Sequence, residues 1–200
     1  MALSLVTAPT IEPVTLSEAK DACVISADDG TRDSLITALI TAARVHVETK
    51  THRALLTQTW DWRLQDFWQG WATEVPKSPL QSVTSISYYD TAGTLTTWGA
   101  SNYVVTADAG DQALPGTIAL ASGVSWPSVQ SSRINAVTVR FVAGYGATAA
   151  LVPAGLRNAM LVLIAEMFAQ RQITVTGRIT SAAQFSFDNL IGPYALPVAV

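Results

Sequence analysis

The chain has 200 residues, 49% of them hydrophobic and only 14% charged, with a net charge of −3 and one cysteine. That length allows one domain, or one domain with a large insertion. Nothing in the charge balance suggests a nucleic-acid grip driven by phosphate neutralisation. The lone Cys23 excludes an intramolecular disulfide frame and a paired-cysteine metal site. So few charges among so many apolar residues point to surface hidden in an assembly. No apolar run reaches membrane-spanning length and no basic-plus-apolar leader is visible, so cytosolic synthesis is the expectation.

In chain order, residues 2–13 read as extended, because Pro9 and Pro13 disfavour helix before them. Thr15-Leu16-Ser17-Glu18 is a capping box, and it predicts a short helix over residues 15–25 with Cys23 on its apolar side. Asp28-Asp29-Gly30-Thr31 is a break and restart whose acidic residues suit the N-terminus of a second helix, residues 31–51. Its buried stripe is expected at Leu35, Ile36, Leu39, Ile40, Ala43 and Val47, with Arg32, Asp33, Arg44, Glu48 and Lys50 elsewhere on it.

From Leu55 the period changes. Trp60, Trp62 and Leu64 alternate with Asp61 and Arg63, a strand signal. Residues 83–89 and 94–98 read as strands joined by Asp90-Thr91-Ala92-Gly93 hairpin chemistry. Residues 103–105 and 117–120 are short strands, and residues 136–143 alternate again before Gly144-Tyr145-Gly146. All six tryptophans fall in this block. A long helix over residues 153–171 follows, opened by Pro153 and lined by Leu156, Ala159, Met160, Leu163, Ile164, Met167 and Phe168. Residues 173–200 change character: Gly177, Gly192, Pro193 and Pro197 with few charges, but too apolar for disorder. They read as an extended arm that gains its order by packing on a partner. Truncation after Arg171 is therefore expected to leave the helices folded.

Motifs for chemistry are absent. There is no GxSxG elbow, Walker loop or HExxH. His46 and His52 are six apart, a spacing that does not share one helical face. Asp28 to Thr31 lacks the alternate oxygens of a calcium loop. Cys23 has no visible base and reads as a packing residue. Trp60, Trp62, Trp68, Trp71, Trp98 and Trp126 either fill a thin β core or form a sugar-stacking platform. No catalytic, cofactor or metal residue is assigned.

The ordered set of segments resembles the phage head–tail connector (adaptor) proteins, in particular the longer members with a β insertion found in tailed phages, prophages and gene transfer agents. The residues carrying the resemblance are Leu16-Ser17-Glu18-Ala19-Lys20, Asp29 with Leu35 to Glu48, and Pro76. Further along they are Pro79-Leu80-Gln81-Ser82-Val83-Thr84-Ser85-Ile86-Ser87-Tyr88-Tyr89-Asp90, Gly93, Tyr103 and Trp126-Pro127. The last are Ala136 to Phe141, Ala143 to Gly146, Pro153, Leu156, Arg157 and Arg171.

The resemblance implies an α+β fold: a small helical bundle with a β-rich insertion between helix two and the long C-terminal helix, then an extended C-terminal arm. The expected parts are residues 1–54 and 151–172 for the helical domain, 55–150 for the insertion and 173–200 for the arm. It also implies a structural virion protein at the head–tail junction, not an enzyme. Such proteins form a homo-oligomeric ring, typically dodecameric, beneath the portal protein. They extend a channel through which DNA passes without sequence-specific binding, and they dock a stopper or tail-terminator protein. Phe185, Phe187, Leu190, Ile191 and Tyr194 of the arm are the expected contacts to portal or neighbouring subunit. A carbohydrate-binding or host-adhesion β module, and a tail-completion or terminator protein, stand as alternatives.

Overall fold

The computed structural model describes residues 2–170 and 181–196. The described chain is mixed α+β, with four α-helices and two antiparallel sheets, and it divides into two compact units.

The helical unit comprises Thr10–Leu56 and the described residues from Tyr145 onward. Its helices are α1 (Leu16–Ala22), α2 (Asp33–Thr51), α3 (Ala154–Ala169) and α4 (Ser181–Ile191). The α1 capping box forms as the sequence requires: Glu18 N donates to Thr15 Oγ1 (3.2 Å), and Thr15 N donates to Glu18 Oε2 (2.8 Å). Asp29 accepts from Thr31 N at 3.0 Å and caps a 3₁₀ turn that leads into α2. Pro153 stands at the N-cap of α3, one position earlier than expected. Ile36, Ile40, Ala43 and Val47 of α2 meet Leu156, Ala159, Met160, Leu163 and Ile164 of α3 in one core.

Two expectations for α2 fail. Leu35 is exposed, whereas Arg44 and Glu48 are buried. Arg44 donates to Glu12 (2.8 Å) and Glu48 (3.1 Å), and Glu48 accepts from the Leu55 backbone N–H at 2.9 Å. These buried charges are tolerated because partners surround them.

The arm also differs from expectation. Residues Ser181–Ile191 are helical, not extended, because Phe187, Leu190 and Ile191 follow the 3.6-residue period and share one face; Tyr194 follows in a 3₁₀ turn. Phe187 and Ile191 are 4% and 6% exposed within the bundle's core, and Leu190 and Tyr194 pack against it.

The β unit comprises residues 2–9 with Thr57–Gly144. Its strands are β1 (Ala2–Thr7), β2 (Gln58–Leu64), β3 (Ala72–Glu74), β4 (Leu80–Tyr89), β5 (Leu95–Trp98), β6 (Tyr103–Thr106), β7 (Thr117–Leu120) and β8 (Val137–Ala143). One sheet has the order β1-β2-β8-β4-β5 and the other β3-β7-β6. The first residues thus join the β unit as an edge strand, with Leu3 opposite Trp62 and Leu5 opposite Trp60.

The alternation in the sequence sets the faces of the large sheet. Trp62, Leu64, Val137, Val139, Phe141 and Ile86 form its apolar side. The β4–β5 hairpin closes as its turn residues dictate: Asp90 Oδ1 accepts from Ala92 N and Thr94 N, both at 2.9 Å, and Gly93 takes a φ of 83°.

Candidate assembly surfaces

In the helical unit, polar side chains fasten helices together. Arg157 of α3 pairs with Glu18 of α1 and donates to the Pro13 carbonyl at 2.9 Å. The Thr15 backbone N–H is the first cause holding the Glu18 carboxyl below its ordinary range, with Arg157 adding to it. Lys20 donates to the Ala27 carbonyl (3.1 Å) and pairs with Asp33 (2.6 Å), which secures the loop between α1 and α2. Arg53, 1% exposed, donates from Nε to the Tyr194 carbonyl at 2.6 Å, and the Leu196 N–H reaches the Thr51 carbonyl at 3.2 Å. The residues after α4 are therefore fastened to the end of α2 as well as to the core.

The five arm residues expected to meet a partner divide by exposure. Phe187 and Ile191 lie in the intramolecular core, Leu190 and Tyr194 lean on it, and Phe185 stands 71% exposed. Phe187 also packs on the His46 ring, centroids 5.4 Å apart, and burial pushes the His46 pKa down. Tyr194 covers Gly155, where a Cβ would lie 2.9 Å from the phenol ring and its Oη. The expectation that truncation after Arg171 spares the helices fails on this geometry, because α4 supplies part of their core.

In the β unit the tryptophans cluster. Trp62 stacks on Trp68 (6.1 Å), Phe67 stacks on Trp126 (5.1 Å), Trp98 stacks on Tyr103 (5.6 Å), and Trp98 meets Trp126 at 4.8 Å. Phe67, in the loop after β2, touches Trp68, Tyr88, Trp98 and Trp126, so the loop is packed by its own ring. Trp71 is the exposed tryptophan, at 72%. The faces of these rings mainly meet other rings, which suits a core more than a sugar platform.

On the opposite face of the large sheet, Asp61 of β2 receives two hydrogen bonds from Arg140 of β8, at 2.7 and 2.9 Å. That bidentate contact holds the Asp61 carboxyl below its ordinary range. Arg63 stands 3.8 Å away.

Among the described residues no cluster of His, Cys, Asp and Glu could hold a metal ion, and no helix is long and apolar enough to cross a membrane. Cys23 sits at the C-terminus of α1, partly buried against the core. Of the histidines, His46 packs on α4, whereas His52 ends α2 in a left-handed conformation with φ 57°.

No family model matches the sequence, and no curated protein matches it. Solved structures do share the fold. One is a chain from the neck of an empty gene transfer agent (GTA) particle computed with C6 symmetry (TM-score 0.80). Another belongs to the virion of the native GTA particle (0.79), and a third to the neck of the native GTA particle computed with C12 symmetry (0.73). Each is 24% identical to this chain, and each alignment covers 100% of this chain and 98% of the other. The class thus defined is a fold: a helical bundle interrupted by a two-sheet β unit, found in chains of gene transfer agent particles.

Proposed function

We propose that this chain is a structural protein of the neck of a tailed-phage-like particle. More finely, it is a head–tail adaptor that assembles as a ring beneath the portal, continues the DNA channel and docks a stopper or tail-terminator protein. The observation that carries this reading is the likeness in fold over the whole chain to chains of GTA necks computed with C6 and C12 symmetry. The low charge and high apolar content support extensive subunit contact. The ring-on-ring packing of the tryptophans supports an adaptor over a glycan-binding module. Phe185 is the arm residue with an open ring, so it is the one assigned to the portal or a neighbouring subunit.

Gradient-purified particles from the source, probed by mass spectrometry and immunogold labelling for this chain, test the reading. Label at the head–tail junction is the expected result. A chain found only in the soluble fraction, beside intact tailed particles, overturns it.

A further inference from the structure

The two outer edges of the five-stranded sheet are built alike. β1 reads Ala-Leu-Ser-Leu-Val-Thr and β5 reads Leu-Thr-Thr-Trp, so neither holds a charged residue or a proline. The strands inside the sheet hold the charges: Asp61 and Arg63 on β2, Arg140 on β8. A monomeric sheet does the reverse, because lysine, glutamate or proline at an edge blocks pairing with another chain. Among the described residues no strand pairs with the outer side of β1 or β5. Leu3, Leu5, Val6 and Leu95 are 37 to 58% exposed there. A bulge at Val6 leaves Ala2–Leu5 as the regular part of β1, four residues long, and β5 is four residues long as well.

Direction decides which edges can meet. Every neighbouring pair in this sheet is antiparallel, so across β1-β2-β8-β4-β5 the first and last strands run the same way. A cyclic ring needs a contact between two different patches, and rotation by about 30° per copy for twelve copies nearly preserves strand direction. Antiparallel pairing of β1 with a second β1 closes a two-fold dimer instead. The faces also agree: Leu3 and Leu5 lie on the apolar side with Trp62, and Thr96 and Trp98 lie on the same side with Tyr88 and Ile86.

From this, and resting on the ring reading above, we propose that β5 of one copy pairs in parallel with β1 of the next. The five-stranded sheets of successive copies then form one continuous sheet around the ring. Backbone hydrogen bonds supply the seam, and the two neutral edges leave no like charges opposed across it.

The test uses particles carrying the full chain with Cys23→Ser, Ser4→Cys and Thr97→Cys. Ser4 and Thr97 share the polar face, opposite Asp61 and Ser87 in their own copies. A short bis-maleimide cross-linker should give a ladder of covalent oligomers in the double variant and none in either single variant. Dimers from Ser4→Cys alone, or rings that stay uncross-linked, overturn the seam while leaving the neck reading intact. Wild-type particles that lack the chain overturn the neck reading and the seam together. A second variant, Ser4→Lys with Thr97→Lys, should keep the wild-type circular dichroism spectrum. It should also lower recovery on particles by at least about tenfold, since charged edges oppose strand pairing. Undiminished recovery overturns the proposal.

Discussion

Phe187→Ala and Phe185→Ala, two positions apart on α4, separate packing from surface. Phe187 is 4% exposed among α2, α3 and the His46 ring, whereas Phe185 is 71% exposed. Truncating a buried phenylalanine removes about 3–5 kcal/mol, through lost transfer free energy and the cavity left behind. Truncating an exposed one changes stability by about 0.5 kcal/mol or less. A domain is stable by about 5–15 kcal/mol, so the first change removes a large share. At a urea slope of about 2 kcal/mol/M the midpoint falls by about 1.5–2.5 M.

The chromophores make the assay selective. All six tryptophans lie in the β unit, and the four α-helices of the described residues lie in the other. Far-UV ellipticity therefore follows the helical unit, and tryptophan emission follows the β unit. The ellipticity transition should move for Phe187→Ala and stay for Phe185→Ala. A shift for Phe187→Ala below about 1 kcal/mol, outside the range for a buried ring, refutes the docking of α4 in the bundle.

Three further outcomes follow from the polar contacts and from Gly155. Glu18 and Asp61 hold their carboxyls below the ordinary 4.5 and 3.8, the first by the Thr15 N–H and the second by Arg140. The unfolded chain then binds more protons, so their contribution is full above those values and lost as pH falls through the folded ones. Urea midpoints between about pH 5 and pH 2 should fall less steeply for Glu18→Gln and Asp61→Asn than for wild type. At neutral pH, Asp61→Asn should lose about 1–2 kcal/mol in a tryptophan-monitored melt, having lost a charge-assisted pair that is partly open to solvent. Gly155→Ala places a methyl against the Tyr194 ring, so the Arg53–Tyr194 contact should loosen, with a loss of about 1–3 kcal/mol and faster proteolysis beyond Ile191.

The elements legible in the sequence are those whose own period decides them. Trp60 to Leu64 and Val137 to Phe141 alternate because one side of their sheet is apolar, and α3 is continuous because its core residues recur at helical steps. The helix α4 was present in the sequence too: Phe187, Leu190 and Ile191 stand at i, i+3 and i+4, and Tyr194 continues the period into the 3₁₀ turn that follows. Gly177 precedes that stripe, Gly192 and Pro193 interrupt its last step and Pro197 follows it, which suggests an arm, but glycine and proline mark where a helix stops, not whether one lies before them. Arg44 and Glu48 look like a solvated i,i+4 pair. What buries them is non-local, since Glu12 and the Leu55 N–H complete their bonding and neither is visible from within α2. For the same reason the edge position of β1 could not be read: Leu3 and Leu5 alternate with Ser4, but only the strand order shows that no described strand lies on the other side. The partner residues were legible as a stripe and not as a surface. Period alone cannot distinguish an apolar face that meets its own chain from one that meets another.

The fate of the cations gives the neck reading a firmer basis than net charge does. Lys20, Arg44, Arg63, Arg140 and Arg157 pair with carboxylates of the same chain. Arg53 holds a backbone carbonyl, and Arg32, Lys77 and Arg133 lie over Phe168, Trp60 and Tyr89. A net charge of −3 would still permit a basic stripe that grips phosphate. Among the described residues, cations already committed to local partners leave little for such a stripe, because each must break a pair or leave a ring before it can neutralise a phosphate. A conduit for DNA needs that property, and a ring held by apolar contacts and backbone pairing is compatible with it. In the proposed ring, subunit contacts of that kind would place no charge at the seams, and the charges would stay within each copy, where they fix its fold.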